Sequence, residues 1–261
     1  MARLILFTDL DGTLLDHETY SCAPALPVLE RLAGLGVPVV LASSKTATEI
    51  AALQNELGLS QWPAIVENGA GIVWPHAEGA VDEGGDMHVR IRAALDGMDP
   101  VMRSRFSGFS DWSVEEVARR TGLSLDAAAR ARQRKFSEPG VFAGDPGERG
   151  AFIKTLRALG LDARMGGRFL TISQGATKAG RMAGVVERLG GDETAMTVAL
   201  GDALNDVEML EAADLGVVVA NPSHAPLPAL RGEDDGRIIR TVLPGPAGWA
   251  QAVGDILDRQ G

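Results

Sequence analysis

Asp9 and Asp11 stand one residue apart in Phe7-Thr8-Asp9-Leu10-Asp11-Gly12-Thr13, just past the apolar run Leu4 to Phe7. Residues two apart on an extended chain point the same way, so both carboxylates can face one reacting phosphorus. Gly12 permits a sharp exit of the backbone. Such a pair is a way to build an aspartyl nucleophile. The competing explanation is a solvated turn, because Asp-Gly is common in turns.

A second acidic group lies far downstream. Met196 to Leu200 is another apolar strand candidate, followed by Gly201-Asp202-Ala203-Leu204-Asn205-Asp206. Oxygen ligands suit a hard cation, and Mg²⁺ takes one or two carboxylates together with waters and the phosphate oxygens of a substrate. Asp9, the backbone carbonyl of Asp11 and Asp202 are the expected protein ligands, with Asp206 on the metal or on its water. The plain alternative is that Asp202 caps a helix carrying Val207, Met209 and Leu210.

An anionic nucleophile is repelled by a phosphate dianion, so the site needs positive charge beyond one Mg²⁺. Lys178 is the expected source. It follows Ala176-Thr177 at the start of a helix marked by Met182, Val185, Val186 and Leu189, where its ammonium adds to the amino-terminal dipole. Ser43 completes the set. Val37 to Ala42 has the composition of a strand, Ser43-Ser44-Lys45-Thr46 follows it, and Thr46 with Glu49 makes a capping box for a helix bearing Ile50, Leu53 and Leu57. The hydroxyls and free amides of Ser43 and Ser44 could hold a phosphate, although plain capping accounts for Thr46 and is an alternative for Ser44.

These groups must be brought together by strand ends, because a parallel strand in an open α/β sheet presents functional groups at its carboxyl end. The chain has 261 residues, which makes two domains the expectation. Up to about Pro75 strand and helix candidates alternate: a helix over Pro24 to Leu35, the strand to Ala42, the helix to Leu57, then strands at Ala64 to Val66 and Ile72 to Trp74. The alternation returns from Lys178 to the end and implies a doubly wound parallel sheet. Between the two blocks, Asp82-Glu83-Gly84-Gly85-Asp86 reads as a linker. It is followed by helix candidates through Met87, Ile91 and Leu95, from Ser113, and from Pro146 to Leu159. Short strand candidates lie at Gly140 to Phe142, Ala163 to Met165 and Arg168 to Ile172.

Taken in order, DxDGT at Asp9 to Thr13, Ser43 at a strand end, Lys178 and GDxxND at Gly201 to Asp206 resemble the haloacid dehalogenase superfamily of phosphatases. The resemblance implies a Rossmann-like α/β core over residues 1–83 and 173–261 with an inserted α/β cap over 84–172. It also implies that Asp9 is the nucleophile and that Asp11 is the general acid and base. Glu67-Asn68-Gly69-Ala70, Ser43-Ser44-Lys45-Thr46, Gly167-Arg168-Phe169 and Gly245-Pro246-Ala247-Gly248-Trp249 look further like the mannosyl-3-phosphoglycerate phosphatases. Relatives of broader specificity commonly carry Thr-Gly-Arg where this chain has Ser-Ser-Lys.

That likeness implies a Mg²⁺-dependent phosphomonoesterase that hydrolyses the phosphorylated sugar mannosyl-3-phosphoglycerate to mannosylglycerate and phosphate by way of an aspartyl-phosphate, a step in a compatible-solute pathway. Its substrate carries a carboxylate as well as a phosphate. Arg168, able to grip a carboxylate bidentately, is the first candidate to meet it and Lys45 the second, with Asn68 and Asn205 as further substrate-side groups. Glucosyl-3-phosphoglycerate or a disaccharide phosphate would use the same catalytic residues. A phosphomutase and a non-catalytic sugar-phosphate sensor are the more distant alternatives.

Composition bounds the partners. Net charge is −10 and the isoelectric point is about 4.9, without a basic run, so nucleic acid is not an expected partner. No apolar stretch is long enough to span a membrane and no signal-peptide pattern opens the chain. Cys22 is the one cysteine, which excludes an internal disulfide framework and makes the cytoplasm the simplest location. His17, His76, His88 and His224 lack metal-ligand spacing and are expected to be surface or turn residues.

Overall fold

The computed structural model describes residues 3–75, 87–166, 168–190 and 195–260; the expected linker at 82–86, His76 and Gly167 lie outside them. In chain order the elements are β1 (Leu4–Thr8), α1 (Leu26–Gly34), β2 (Val39–Ala42), α2 (Ala47–Glu56), β3 (Ala64–Val66) and β4 (Gly71–Val73). There follow α3 (Met87–Asp96), α4 (Pro100–Ser104), β5 (Phe106–Gly108), α5 (Val114–Thr121), α6 (Leu125–Ala131), β6 (Glu138–Phe142), α7 (Pro146–Ala158), β7 (Asp162–Gly166) and β8 (Phe169–Ser173). The chain closes with α8 (Lys178–Arg188), β9 (Met196–Gly201), α9 (Val207–Ala212), β10 (Leu215–Ala220), β11 (Ile238–Pro244) and α10 (Ala247–Gln260).

Seven strands form the larger sheet in the order β11-β10-β9-β1-β2-β3-β4. Its central strands are apolar without interruption because both faces are covered. Leu4 and Leu6 of β1 join Val39 and Leu41 of β2 under α1, α2 and α10, in a core with Leu29, Ile50 and Trp249. Ile5 and Phe7 face the other way, with Val40, Met182 of α8 and Met209 of α9. That alternation is the doubly wound α/β architecture.

The edge strand β4 departs from the expected pattern. It pairs antiparallel with β3, Ile65 opposite Ile72. Its connection is the short turn Glu67–Gly69, too short for the crossover that a parallel pair needs. Glu67 and Asn68 take positive φ of 49° and 59° in that turn, and Gly69 follows at 94°, so the chain reverses at once.

A second, four-stranded antiparallel sheet runs β5-β6-β8-β7. Phe106, Leu170 and Ile172 on its strands pack with Ile91 and Leu95 of α3 and with Phe152 and Leu156 of α7. A separate cluster of Phe109, Trp112, Val117, Ala128 and Ala131 ties α5 to α6, and Phe169 meets Phe109 edge-on at 5.1 Å. The helix signals in this half are local: Ser113 and Ser124 accept bonds from the amides of Glu116 and Ala127. Asp145 caps α7 in a capping box with Glu148.

Candidate active site

β1 lies between β2 and β9, and the register sets Thr8 beside both Leu41 and Leu200. The residues just beyond these three strands therefore converge: Asp9 after β1, Ser43 after β2, Asp202 after β9. The amide of Asp9 donates to the carbonyl of Leu200 at 2.9 Å. The loop after Asp9 closes tightly, with the amides of Thr13 and Leu15 both donating to the carbonyl of Leu10. Gly12 sits in that loop at φ 86°, and a Cβ there would meet Asn221 and Asp202. It is glycine for both reasons.

At the centre Lys178 is 1% exposed. Its Nζ donates to Asp9 Oδ1 at 2.5 Å and to Asp206 Oδ1 at 2.6 Å. Burial opposes its charge, but the Asp206 and Asp9 carboxylates prevail and hold its pKa above the usual lysine value. Thr177 caps α8 by accepting from the amide of Gly180, which fixes the helix start that carries the lysine. The pKa of Asp9 is raised as well, which favours its neutral form: burial, then the charge of Asp206, lift it well above the ordinary carboxylate range against the pull of Lys178.

Asp202 does not cap a helix. Its Oδ1 accepts from the Thr13 hydroxyl at 2.8 Å and its Oδ2 from Asn221 Nδ2 at 2.8 Å, while His224 Nε2 lies at 2.8 Å from the same oxygen. Asp206 spends Oδ1 on Lys178 and Oδ2 on the amides of Asp202 and Ala203. Asp9, Asp202 and Asp206 each bring an oxygen within 4.8 Å of the others, and all three are buried. Three carboxylates so close repel one another, and among the described residues Lys178 is the one ammonium bonded among them. Hard oxygen donors short of positive charge fit a hard divalent cation.

Asp11 sits at the mouth with its Oδ2 accepting from Lys45 Nζ at 2.8 Å. Its Oδ1 is buried and has no hydrogen-bond partner among the described residues. Burial opposes the charge on Lys45, yet Asp11 raises the pKa of that ammonium above its usual value. Ser43, 1% exposed, accepts from the amide of Lys45 at 3.2 Å, while Ser44 is exposed on the cleft wall. Thr46 and Glu49 form the anticipated capping box at the start of α2. Asn205 Nδ2 donates to Asn68 Oδ1 at 3.3 Å, so the left-handed turn at Asn68 also carries a side-chain bond into the cleft. This cleft, about 290 Å³, lies between the two sheets.

Arg168 lines the cleft but turns its Nη1 and Nη2 onto the carbonyls of Arg120 and Thr121, at the carboxyl end of α5. His224 is exposed beside a turn as expected, although its Nε2 faces Asp202; His88 departs from the expectation, half-buried in α3 with its Nε2 2.7 Å from the fully buried Glu138. Asn221 and His224 were not anticipated, though a signal existed. Asn221 is the first residue after the apolar strand β10, the same place beyond a parallel strand that Asp9 and Asp202 occupy. The segment at Gly245 to Trp249 also acquires a role. Trp249, wholly buried, donates its Nε1 to Thr8 Oγ1 at 2.9 Å, and Gly245 packs against the carbonyls of Gly12 and Thr13.

The haloacid dehalogenase-like hydrolases match the chain at residues 6–83 and 164–228. A glucosyl-3-phosphoglycerate/mannosyl-3-phosphoglycerate phosphatase from Persephonella marina is 32% identical, over 98% of this chain and 97% of that protein. One of the same description from Methanococcoides burtonii is also 32% identical, with the same coverage. Among solved structures, the sucrose-phosphatase of Synechocystis superposes with a TM-score of 0.63 at 18% identity, over 98% of both chains. A subclass IIB sugar phosphatase superposes at 0.66 and 17% identity, over 97% of this chain and 98% of its own. At those identities the two structures establish the fold.

Proposed function

Because the chain belongs to the haloacid dehalogenase-like hydrolases, we propose that it is the phosphomonoesterase that releases phosphate from mannosyl-3-phosphoglycerate, with the glucosyl counterpart as a second substrate. The observation that carries this is Asp9 held at 2.5 Å by Lys178, beside Asp202 and with Asp11 at the cleft mouth, in a chain aligned end to end with phosphatases named for those two substrates.

The chemistry follows from the placement. Asp9 attacks phosphorus with a carboxylate oxygen, and the bond from phosphorus to the glycerate oxygen breaks. Asp11 gives that oxygen its proton, and the buried Oδ1 without a partner is the free position from which to give it. The released mannosylglycerate leaves an aspartyl-phosphate on Asp9. Asp11, now a base, takes a proton from water as the water attacks phosphorus, which returns Asp9 and yields phosphate. Lys178 fixes the rotamer of Asp9 and offsets charge on the phosphoryl oxygens. Asp206 locks Lys178 through one oxygen and the loop amides through the other.

Asp9, Asp202 and the Asp11 carbonyl would hold Mg²⁺, with Asp206 behind them. The ion when bound supplies charge neutralisation at the phosphoryl oxygens. Ser44, Lys45, Asn68, Asn205 and Arg168 form the wall against which the sugar phosphate lies, and Ser43 shapes the loop. Residues 84–172 serve as the cap over a core of 1–83 and 173–261. The free Cys22 suits a reducing compartment, the cytoplasm. Among the described residues no helix is long and apolar enough to cross a membrane.

Phosphate release from a panel of sugar phosphates, with Mg²⁺ and after chelation, tests the proposal. The two 3-phosphoglycerate glycosides should lead the panel and chelation should stop turnover. Faster release from hexose 6-phosphates, or full activity without a divalent ion, would overturn it.

A further inference from the structure

We infer that Arg134, on the segment between α6 and β6, is the residue that reads the carboxylate of the leaving group; this rests on the substrate proposed above. The cations around the cleft fall into two kinds. Lys178 and Lys45 are each spent on carboxylates, Asp9 with Asp206 and Asp11 respectively. Arg134 and Arg168 also line the cleft, and among the described residues neither forms an ion pair. Each is held by backbone carbonyls, which orient a guanidinium without cancelling its charge.

The way each is held separates them. Arg168 directs both terminal nitrogens at the end of α5. Arg134 uses Nε on the carbonyl of Ala131 at 3.0 Å and Nη1 on the carbonyl of Ser44 at 2.7 Å. No described residue takes a bond from its Nη2, which leaves two N–H groups for an anion. Phe109 lies beneath the guanidinium at 5.6 Å, restricting it to one plane. The bond to Ser44 places Arg134 directly over the Ser43-Ser44-Lys45 loop, whose Lys45 holds the proton-carrying Asp11. A carboxylate two carbons from the ester oxygen that Asp11 protonates must lie near that loop. Arg134 is the cation already tethered there.

The next three residues are clamped as well. Glu67 on the larger domain accepts from the amides of Lys135 and Phe136 and from the Ser137 hydroxyl, so Arg134 does not have to be ordered by the substrate.

The test compares mannosyl-3-phosphoglycerate with its analogue in which the carboxylate is reduced to a hydroxymethyl group. Wild-type enzyme should prefer the acid, and that preference in kcat/KM should fall about ten- to a hundredfold in Arg134→Ala, the worth of one charged hydrogen bond. The loss should fall mainly on KM. Arg134→Lys should recover part of the preference, a result that loss of folding would not produce, and Arg168→Ala should retain it. Equal losses on both compounds, no loss, or a collapse of the preference in Arg168→Ala alone would each overturn the assignment. A wild-type enzyme that hydrolyses both poorly, or does not distinguish them, would instead overturn the substrate proposal.

Discussion

Lys178 is the residue on which the acidic centre balances. With its ammonium removed, Asp9 and Asp206 would face each other buried and uncompensated, a loss worth about 3–5 kcal/mol when one partner of a buried pair is deleted. Lys178→Met should therefore lower stability in urea by that order, and added Mg²⁺ should restore part of it, because a ligand of the native state stabilises by mass action. Unchanged stability with no response to Mg²⁺ would mean that the carboxylates are not mutually strained. Asp9→Asn should abolish turnover, since the amide cannot form the acyl-phosphate. Asp11→Asn should retain a residue of activity, about 10²- to 10⁴-fold down, with labelled phosphate trapped on the protein. Asp9, Asp11, Lys178 and Asp202 were legible because their motifs combine chemistry with local turn signals: Gly12 beside the Asp pair, Thr177 capping the lysine helix. Arg134 and His224 carry no such local mark. Their positions over the cleft arise from the pairing of strands and segments distant in sequence, which no short window contains.

At the scale of elements, helix starts were the most readable feature. Thr46 with Glu49, Ser113, Pro146 after Asp145, and Thr177 all mark helix starts that formed where expected. The strand at β4 was visible as an apolar run, but its direction was not, since direction was settled by the length of the turn before it. The smaller sheet and its helices are joined by a charged network that sequence did not show. Asp111 accepts from Arg92 and Arg103 at 2.8 Å each and from the amide of Gly108 at 2.9 Å. Partial burial raises its pKa, but these donors outweigh that and hold it below the usual carboxylate value. A carboxyl depressed in the folded state contributes stability above its unfolded pKa, about 4 for Asp, and loses it as pH falls through the folded value. Asp111→Asn should thus lower the melting temperature at pH 7, and its difference from wild type should narrow as pH is taken from 5 toward 3. A gap that stays constant with pH would assign the effect to shape alone.

At the scale of the molecule, catalysis by a core of strand ends needs a cover that excludes water and returns to the same place on every cycle. The contact between the two sheets is concentrated on one segment. Thr46 Oγ1 donates to the carbonyl of Arg130, Thr48 Oγ1 to Gln133 Oε1, and Arg134 to the carbonyl of Ser44. Its deepest point is Glu67, 2% exposed. Oε1 accepts from the Lys135 amide at 2.9 Å, and Oε2 accepts from the Phe136 amide at 3.2 Å and the Ser137 hydroxyl at 2.6 Å. Glu67→Gln offers one acceptor oxygen where the wild type offers two. At least one donor from the opposite segment must then face an amide N–H₂, a buried mismatch worth about 1–3 kcal/mol. Because those donors belong to one sheet and the carboxylate to the other, the cost should appear where the two meet. Hydrogen exchange at Lys135 and Phe136 should speed up while Val198 and Ala199, in the middle of the larger sheet, keep their protection. Because that segment also carries Arg134, KM for the phosphoglycerate substrate should rise with little change in kcat. Unaltered exchange at 135–136 with unaltered kinetics would show that the two sheets are held by their other contacts and that Glu67 only shapes its own turn.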